Sequence, residues 1–227
     1  MAKDGESTRG TGWDEAVGKS WLAGGTHENE YEKPWRLAAA VASLECPPEP
    51  LVLDVASGPG GFLAAALEVI PGSVGIWLDS LETMEAQARS QLKGFGDRVA
   101  FRRGDLLDLG AAAEPDSVRL VSVSRATHHL DSDQLAEFYK QAAQVIQEGG
   151  WLANLDQAVL PEPWASRLAS ARRRASSEPR APRDPGHPPA LPHSLEEHID
   201  LASSAGFVEL TPVWRYCQHV LLMGRKP

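Results

Sequence analysis

The sequence predicts an α/β fold with a parallel sheet at its centre. Between residues 51 and 157, short apolar runs alternate with segments of helical periodicity, which is the pattern of βαβ units. A glycine-rich turn joins the first apolar run directly to a helical segment. Two further strand-like runs, 207–213 and 216–223, close the chain. Together these runs predict seven strands.

The central region is predicted to hold five strands and three helices. The strands are expected at 51–56, 73–78, 99–102, 118–124 and 151–155, and the helices at 61–70, 81–93 and 132–147. The third helix is the best supported, because Asp131 and Gln134 have the spacing of a capping box and its apolar residues recur at helical intervals. Gly149 is expected to end it.

The chain before residue 51 is predicted to be mainly helical. Pro34 is expected at the start of a helix, where its missing N–H costs nothing. Leu37, Val41 and Leu44 follow at helical spacing and predict the apolar face of that helix.

The chain after residue 157 changes in composition. Residues 158–192 are rich in proline and arginine, with six arginines against three acids in a chain whose net charge is -9. Ser194 and Glu197 then predict a capping box for a helix that ends near Gly206.

Composition excludes several classes of protein. Hydrophobic residues make up 42% of the 227 residues, enough for a core, so general disorder is excluded. The charge of -9 disfavours nucleic acid and anionic membranes as partners. We find no secretory signal and no long apolar run, so a cytoplasmic protein is expected. The two cysteines lack the close pairing of a zinc site, and no metal is expected.

The glycine turn at Gly58, Gly60 and Gly61 is the strongest functional signal. Glycine lets a ligand approach the backbone closely, and the helix beyond it supplies free N–H groups. Glycines also serve in tight packing, so a turn of this kind has a purely structural alternative. Two acids favour the ligand interpretation, since Asp79 and Asp105 lie at the ends of the next two predicted strands. Each of these acids could instead cap a turn or helix.

These segments resemble the class I S-adenosylmethionine (SAM)-dependent methyltransferases over roughly residues 51–156. The first motif of that family is matched by LDVASGPG at 53–60, the second by DSLETMEAQAR at 79–89, and the third by GDL at 104–106. THHL at 127–130 and GGWL at 149–152 resemble the segments around its fourth and fifth strands. Ala56 stands where the family usually has the first glycine of its motif.

The resemblance implies a Rossmann-like fold. Its sheet has seven strands and is mostly parallel, with helices on both faces and an antiparallel C-terminal hairpin. Residues 1–50 would be an N-terminal helical cap, 51–157 the SAM-binding core, 158–192 a lid insertion, and 193–227 the elements that complete the core. The chain would act as a monomer or homodimer.

The resemblance also implies the contacts of SAM. Asp54 would orient the turn and the methionine amino group, Asp79 would hold the ribose, and Asp105 would accept from the adenine amino group. The remaining implied cofactor residues flank these three: Ala56, Gly58, Gly60, Ser80, Gly104, Leu106, Ser124 and Arg125. The reaction would be in-line transfer of the sulfonium methyl group, leaving S-adenosylhomocysteine (SAH).

His128 and His129 are the candidate catalytic residues. They follow the fourth strand, and an imidazole there could take a proton from an attacking hydroxyl or amine. The alternative is that one or both only bind the loop backbone. His187 lies in the proline-rich segment and could reach the substrate when a lid closes.

Aromatic residues and arginines are candidates for substrate contacts. Tyr31 and Trp164 could form part of a wall for an apolar or ring-containing small molecule, or could simply pack between helices. Arg172, Arg173 and Arg174 could recognise a carboxylate or phosphate, although salt bridges to solvent-exposed acids are the simpler explanation.

Three functions remain open from the sequence. The first is methyl transfer to oxygen, nitrogen or carbon of a small molecule, with secondary metabolism suggested by a composition typical of GC-rich bacterial genomes. The second is SAM binding without methyl transfer. The third is an NAD-dependent oxidoreductase, which would use a similar glycine turn and acid.

Overall fold

All seven strands belong to one sheet in the computed structural model, which describes residues 13–23, 28–44, 46–175 and 188–227. The sheet has the order β3-β2-β1-β4-β5-β7-β6. The strands are β1 (Leu51–Val55), β2 (Val74–Asp79), β3 (Val99–Arg103), β4 (Val118–Ser124), β5 (Ile146–Gln157), β6 (Val208–Tyr216) and β7 (His219–Arg225). The first five are parallel, and β7 runs antiparallel between β5 and β6. The predicted fold is therefore confirmed.

Helices cover both faces of this sheet. They are α1 (Glu15–Ala23), α2 (Glu28–Ser43), α3 (Gly61–Val69), α4 (Glu82–Gln91), α5 (Ser132–Val145), α6 (Trp164–Ala175) and α7 (Leu195–Ser204). One core packs α2, α3 and α4 against the sheet, with Phe62 and Leu63 buried in it. The other packs α5 and α7, with Leu135 and Phe138 at its centre. Within the described residues, no helix combines the length and apolarity needed to span a bilayer.

The second helix differs from its prediction. It begins at Glu28, so Pro34 lies inside it rather than at its start. Leu37 and Leu44 are 39% and 65% exposed, and the predicted apolar face is wrong. The buried face instead carries Tyr31, Trp35, Ala38, Ala39 and Ala42. Alanines let α2 approach α3 closely, and this favours burial of the small residues over the leucines.

The junction of α5 and β5 also differs from its prediction. The capping box of Asp131 and Gln134 is confirmed, but the helix ends at Val145 and β5 starts at the next residue. Gly149 lies inside β5 rather than at the helix end, with φ of 72°. The pairing register of β5 shifts against β4 around this glycine, and such an irregularity requires a residue that tolerates left-handed backbone.

The C-terminal strands are shifted by a few residues relative to their predicted positions. Cys217 and Gln218 form the turn between β6 and β7, whereas the sequence placed this turn at 214–215. The Ser194 side chain caps α7 by accepting from the Glu197 amide, as predicted. The Glu197 carboxylate does not complete a capping box, because it accepts from Ser132 Oγ at 2.7 Å and lies 3.0 Å from His193 Nδ1. It therefore links α7 to α5.

Arg119 ties α2 to the sheet from its position in β4. The side chain is buried and donates to the carbonyl oxygens of Ala42, Leu44 and Gly149 at 3.0, 2.6 and 2.7 Å. Two of these carbonyls are at the C-terminal end of α2, where backbone acceptors lack helical partners. The Arg119 guanidinium thus supplies hydrogen-bond donors both to the C-terminal end of α2 and to the irregular part of β5.

Replacing Arg119 with methionine should lower the free energy of unfolding by about 2–3 kcal/mol, because it removes three charge-assisted hydrogen bonds and leaves their carbonyl acceptors without this donor. Urea unfolding measures the change. Arg102→Met is the matched control, since Arg102 is exposed on β3 and should change stability by less than about 0.5 kcal/mol. Equal effects of the two substitutions would contradict this role.

Candidate active site

A cavity of about 450 Å³ opens at the carboxyl edge of the parallel strands. This is the edge at which ligands bind in open α/β sheets, next to the point where strand order reverses between β1 and β4. Its lining includes most of the residues predicted to bind the cofactor: Asp54, Ala56, Gly58, Asp79, Ser80, Gly104, Asp105, Leu106, Ser124 and Arg125. Both candidate catalytic histidines line it as well, together with Trp13, Trp21 and Trp35 from the N-terminal segment.

The glycines of the first turn have different roles. Gly58 has φ of 53°, and a Cβ built on it would meet no atom within 4 Å, so the turn leaves space for a ligand against the backbone. Gly60 has φ of 93°, and a Cβ there would lie 2.8 Å from Leu92 Cδ1. Gly60 does not line the cavity. Glycine is required at position 60 because the backbone is left-handed there and because a Cβ would clash with Leu92.

Asp54 stabilises this turn through the hydrogen bonds that its carboxylate accepts. Its carboxylate accepts from Ser57 Oγ at 2.5 Å, Ser122 Oγ at 2.7 Å and the Leu63 amide at 3.2 Å. The side chain is almost fully buried, and burial raises its pKa to about 6, while these hydrogen bonds act in the opposite direction. The carboxylate therefore joins β1, β4, the glycine turn and α3.

Asp79 ends β2 and is both a turn acceptor and a lining residue. Its Oδ2 accepts from the Gly58 amide at 2.9 Å, and its Oδ1 accepts from the Leu81 amide at 3.0 Å. Burial raises the pKa of Asp79, and the backbone hydrogen bonds partly offset this. The structural and ligand interpretations of Asp79 are thus compatible, because the bonds that orient the carboxylate also fix the glycine turn.

Asp105 lies farther along the same edge, after β3. Its Oδ1 accepts from the Leu107 amide at 2.8 Å, which is the turn contact expected of an aspartate in this position. Gly104 and Leu106 flank it in the cavity wall. The three acids Asp54, Asp79 and Asp105 therefore follow the carboxyl edge across β1, β2 and β3.

The end of β4 meets the N-terminal helices. Ser124 Oγ accepts from Trp35 Nε1 at 3.2 Å. Arg125 has φ of 56°, and its Cζ lies 5.1 Å from the Trp21 ring centroid and 4.8 Å from that of Tyr31. Tyr31 is buried and pairs through its hydroxyl with His219 Nε2 at 3.2 Å. Tyr31 therefore packs behind Arg125 rather than in the cavity wall.

His128 is paired with Asp156, a residue that the sequence analysis missed. The His128 ring Nδ1 lies 2.6 Å from Asp156 Oδ1, and both side chains are buried. Asp156 also accepts from Thr127 Oγ1, from the His128 amide and from the Gln157 amide. Burial raises the pKa of Asp156, but the His128 charge and these hydrogen bonds outweigh it and hold the pKa well below its usual range.

The carboxylate of Asp156 fixes the tautomer of His128. An ionised carboxylate can only accept, so His128 Nδ1 carries the proton of the hydrogen bond. In the neutral ring Nε2 is then an acceptor. His128 therefore presents the cavity with an imidazole arranged to take up a proton.

His129 is held differently. Its Nδ1 lies 3.2 Å from the Pro189 carbonyl oxygen, and its ring is edge-on to Trp13 with 5.6 Å between centroids. The two histidine rings are 4.0 Å apart. The contact with Pro189 joins His129 to the segment that follows residue 187.

A buried polar network lies behind Asp156. Thr127 Oγ1 lies 3.3 Å from Asn154 Oδ1, and Asn154 Nδ2 donates to Tyr139 Oη at 3.0 Å. Tyr139 Oη in turn lies 2.7 Å from His198 Nδ1. Burial raises the pKa of Tyr139 and lowers that of His198 to about 4, so Tyr139 is the donor to a neutral His198. These residues come from the loop after β4 and from β5, α5 and α7, and no spacing in the sequence joins them.

The other predicted substrate residues do not meet at the cavity. Trp164 begins α6, is 56% exposed and lies under Arg167 rather than in the cavity wall. His187 and the side chain of Arg172 lie outside the described residues. Arg173 and Arg174 are exposed, and Arg173 donates to Ser170 Oγ at 3.0 Å. The arginine group thus lies away from the cavity where it is described.

The lining residues fit SAM. The turn at Gly58 is open where a side chain would otherwise project, which suits a ligand that lies against the backbone. One carboxylate follows from each of β1, β2 and β3 along the same edge, and aromatic side chains also line the cavity. Within the described ranges, no three His, Cys, Asp or Glu side chains cluster in a way that could hold a metal ion.

Comparisons with known proteins agree with this geometry. Residues 52–150 match the family described as Methyltransferase domain. The O-methyltransferase elcB of Phaeosphaeria nodorum is 32% identical over 120 residues, which are 52% of this chain and 27% of elcB. The mitomycin biosynthesis 6-O-methyltransferase of Streptomyces lavendulae is 27% identical over 118 residues, 51% of this chain and 32% of the relative. The chain thus spans less than a third of either curated relative.

Solved structures share the fold. Human N-acetylserotonin methyltransferase in complex with SAM has a TM-score of 0.59 and 17% identity, with 88% of this chain and 54% of that chain covered. The matched segment 52–150 contains the glycine turn, Asp79, Asp105 and the histidine pair. Over residues 52–150 this chain is thus similar to the methyltransferase domain family and to O-methyltransferases, and it shares the fold of class I S-adenosylmethionine-dependent methyltransferases.

Proposed function

We propose that this chain transfers the methyl group of SAM to a hydroxyl oxygen of a small-molecule acceptor. The observation that carries the proposal is that His128, which is paired with Asp156, lines the same cavity as the glycine turn and Asp79. Oxygen, nitrogen and carbon acceptors are all compatible with the fold alone. A fixed proton acceptor favours oxygen, because a hydroxyl must lose its proton during methylation. The names of the two curated relatives support the same choice.

We assign the parts of SAM to the cavity in the order of the strands. Asp105 after β3 is assigned to the adenine amino group, Asp79 at the end of β2 to the ribose hydroxyls, and Asp54 in β1 to the methionine amino group. This order is supported by the adjacency of β3, β2 and β1 in the sheet. The methionine end then points toward β4 and β5, where Ser124, Arg125 and His128 line the cavity.

The methyl-transfer step needs little more than alignment and one proton acceptor. SAM supplies an electrophilic methyl group on a sulfonium leaving group. His128 Nε2 takes the hydroxyl proton as the new O–C bond forms and the S–C bond breaks, and the products are SAH and a methyl ether. Asp156 stabilises the imidazolium that results and holds the ring in its tautomer.

The acceptor is assigned to the part of the cavity beside β4 and β5. Trp13 and Trp21 from the N-terminal segment and Gln157 from β5 line the cavity with His128 and His129. An aromatic wall around one proton acceptor suits a planar hydroxylated compound. The assignment of residues 1–50 as a cap and 158–192 as a lid belongs to the same proposal, as does a role in secondary metabolism, which the mitomycin relative supports.

SAH should raise the unfolding temperature of the purified protein, and NAD should not, because binding to the native state alone stabilises it. Differential scanning fluorimetry measures both. Asp79→Ala should weaken SAH binding by about tenfold or more, and His129→Ala by less than about threefold. A stabilisation by NAD without one by SAH would contradict the proposed cofactor, and a larger effect of His129→Ala would contradict the ribose assignment.

SAH affinity should fall as the pH is lowered from 7 to 5, by a factor approaching ten per pH unit below pH 6. The raised pKa of Asp54, about 6, means that protonated Asp54 must lose its proton before it can pair with the ligand ammonium group. Titration calorimetry at several pH values measures this. Asp54→Asn should flatten the dependence and Asp105→Asn should preserve it. An unchanged slope in Asp54→Asn would contradict the ammonium contact.

His128→Ala should lower turnover roughly 10²- to 10⁴-fold while SAH affinity changes by less than about threefold, because only proton uptake is lost. Asp156→Asn should act in the same direction, since an amide can stabilise the other tautomer. His129→Ala is the control. Transfer of labelled methyl from SAM to a panel of phenols and alcohols provides the assay. Full activity in His128→Ala would contradict its role as the base, and transfer only to amines would contradict an oxygen acceptor.

A further inference from the structure

Thr127 contacts the same carboxylate as His128. Its side chain is fully buried, and it is not one of the residues that line the cavity. Thr127 Oγ1 lies 2.7 Å from Asp156 Oδ2, whereas His128 Nδ1 lies 2.6 Å from the other oxygen, Oδ1. The threonine and the histidine therefore bind opposite oxygens of Asp156.

The direction of the hydrogen bond from Thr127 is set by the polar groups next to it. Burial lowers the pKa of His198 to about 4, so its neutral ring accepts from Tyr139 Oη, which is then left to accept from a further donor. Asn154 Nδ2 lies 3.0 Å from Tyr139 Oη and 3.1 Å from Thr127 Oγ1, and it donates to both oxygens. Because Thr127 Oγ1 accepts from Asn154, its own proton is directed to Asp156.

Asp156 is also the stronger of two acceptors within reach of the Thr127 hydroxyl. Asn154 Oδ1 lies 3.3 Å from Thr127 Oγ1, compared with 2.7 Å for Asp156 Oδ2. A hydrogen bond to an ionised carboxylate is shorter and about twice as strong as one between neutral groups. The Thr127 hydroxyl therefore acts as a donor to Asp156.

The hydrogen bonds at both oxygens fix the plane of the Asp156 carboxylate. The terminal torsion of an aspartate is broad, so a carboxylate bound through one oxygen rotates readily. Oδ1 accepts from the Gln157 amide at 2.7 Å as well as from the His128 ring, and Oδ2 accepts from the His128 amide at 3.1 Å. Thr127 supplies the shorter bond to Oδ2. Without it, the remaining described bond to Oδ2 is the longer one from the His128 amide.

We propose that Thr127 is a positioning residue for methyl transfer, because its hydroxyl holds the Asp156 carboxylate in the plane that orients the His128 ring. The inference rests on the proposed function, in which His128 is the base. Asn154 and Tyr139 act one step farther away by directing the Thr127 proton. None of these three positioning side chains lines the cavity, so their effect on the reaction passes through Asp156.

The first test separates turnover from binding. Thr127→Val keeps the branched shape of the side chain and removes its hydroxyl. We expect it to lower kcat by about 3- to 30-fold, while the acceptor KM and the SAH affinity change by less than about threefold. Thr127→Ser restores the hydroxyl and should restore most of the turnover. Thr211→Val is the matched control, since Thr211 is exposed on β6 and does not line the cavity.

The second test asks whether Thr127 acts through Asp156. Thr127→Val is repeated in a chain that already carries Asp156→Asn, and methyl transfer is measured in both backgrounds. We expect the threonine substitution to lower turnover by less than about twofold in the Asp156→Asn chain, because the charge-assisted bond is already lost there. A threonine that only fills space in the core would lower turnover by the same factor in both backgrounds.

Proton NMR of the full chain gives a readout that requires neither SAM nor an acceptor. The Nδ1–H proton in the short hydrogen bond between His128 and Asp156 is expected at low field, and its absence from His128→Ala identifies it. Thr127→Val should move or broaden this resonance, whereas Thr127→Ser and Thr211→Val should leave it in place. If Thr127→Val does not fold, Thr127→Ala is compared with Thr127→Ser, because those two side chains differ only in the hydroxyl.

An unchanged resonance in the variant without the hydroxyl, full turnover in that variant, or equal losses in both backgrounds would overturn the role of Thr127. Loss of turnover that serine restores, together with a shifted resonance and a smaller loss in the Asp156→Asn chain, would support it. Failure of the proposed function is distinguishable, because the unmodified protein would then transfer no methyl group while the resonance still responded to Thr127→Val.

Discussion

The buried carboxylate of Asp54 is the interaction on which the rest of the site depends. Its hydrogen bonds to Ser57, Leu63 and Ser122 join the glycine turn, α3 and β4 to the end of β1. Loss of any of these donors would leave the buried carboxylate with fewer hydrogen bonds. This explains the hydroxyl side chains at Ser57 and Ser122. Gly58 is held in its open conformation by the neighbouring carboxylate of Asp79. The cavity wall is therefore set by two acids that act on the backbone of one turn.

The pKa values of the two buried acids Asp54 and Asp156 are shifted in opposite directions, although burial raises both. The partners of Asp54 are neutral hydroxyls and an amide, so burial dominates and its pKa rises to about 6. Asp156 has the His128 imidazole as a partner in addition to three neutral donors, and its pKa is lowered. Asp156 thus remains a carboxylate that can stabilise an imidazolium. Asp54 instead lies close to its titration range, where a ligand cation favours ionisation.

The N-terminal segment completes the cavity with residues that are far away in sequence. Trp35 donates to Ser124 at the end of β4, and Trp21 and Tyr31 surround Arg125 at the next residue. These contacts join α1 and α2 to the loop that follows β4. They give the helices before the sheet a physical connection to the end of the cavity beside β4, whereas α6 and its exposed Trp164 remain outside the cavity.

The local features of this protein were predictable from its sequence, and the long-range ones were not. The strand–turn–helix at 51–69 and the acids after β2 and β3 are encoded within a few residues each, because backbone conformation and strand ends are local properties. The buried face of α2 was mispredicted, since close packing against α3 selected alanines over Leu37 and Leu44. Asp156 was missed because its contact with His128 joins β5 to the loop after β4, across 28 positions. Only the tertiary structure shows that Asp156 lies beside His128, because the two residues come together when β4 and β5 pair, and this carboxylate fixes the tautomer of the ring.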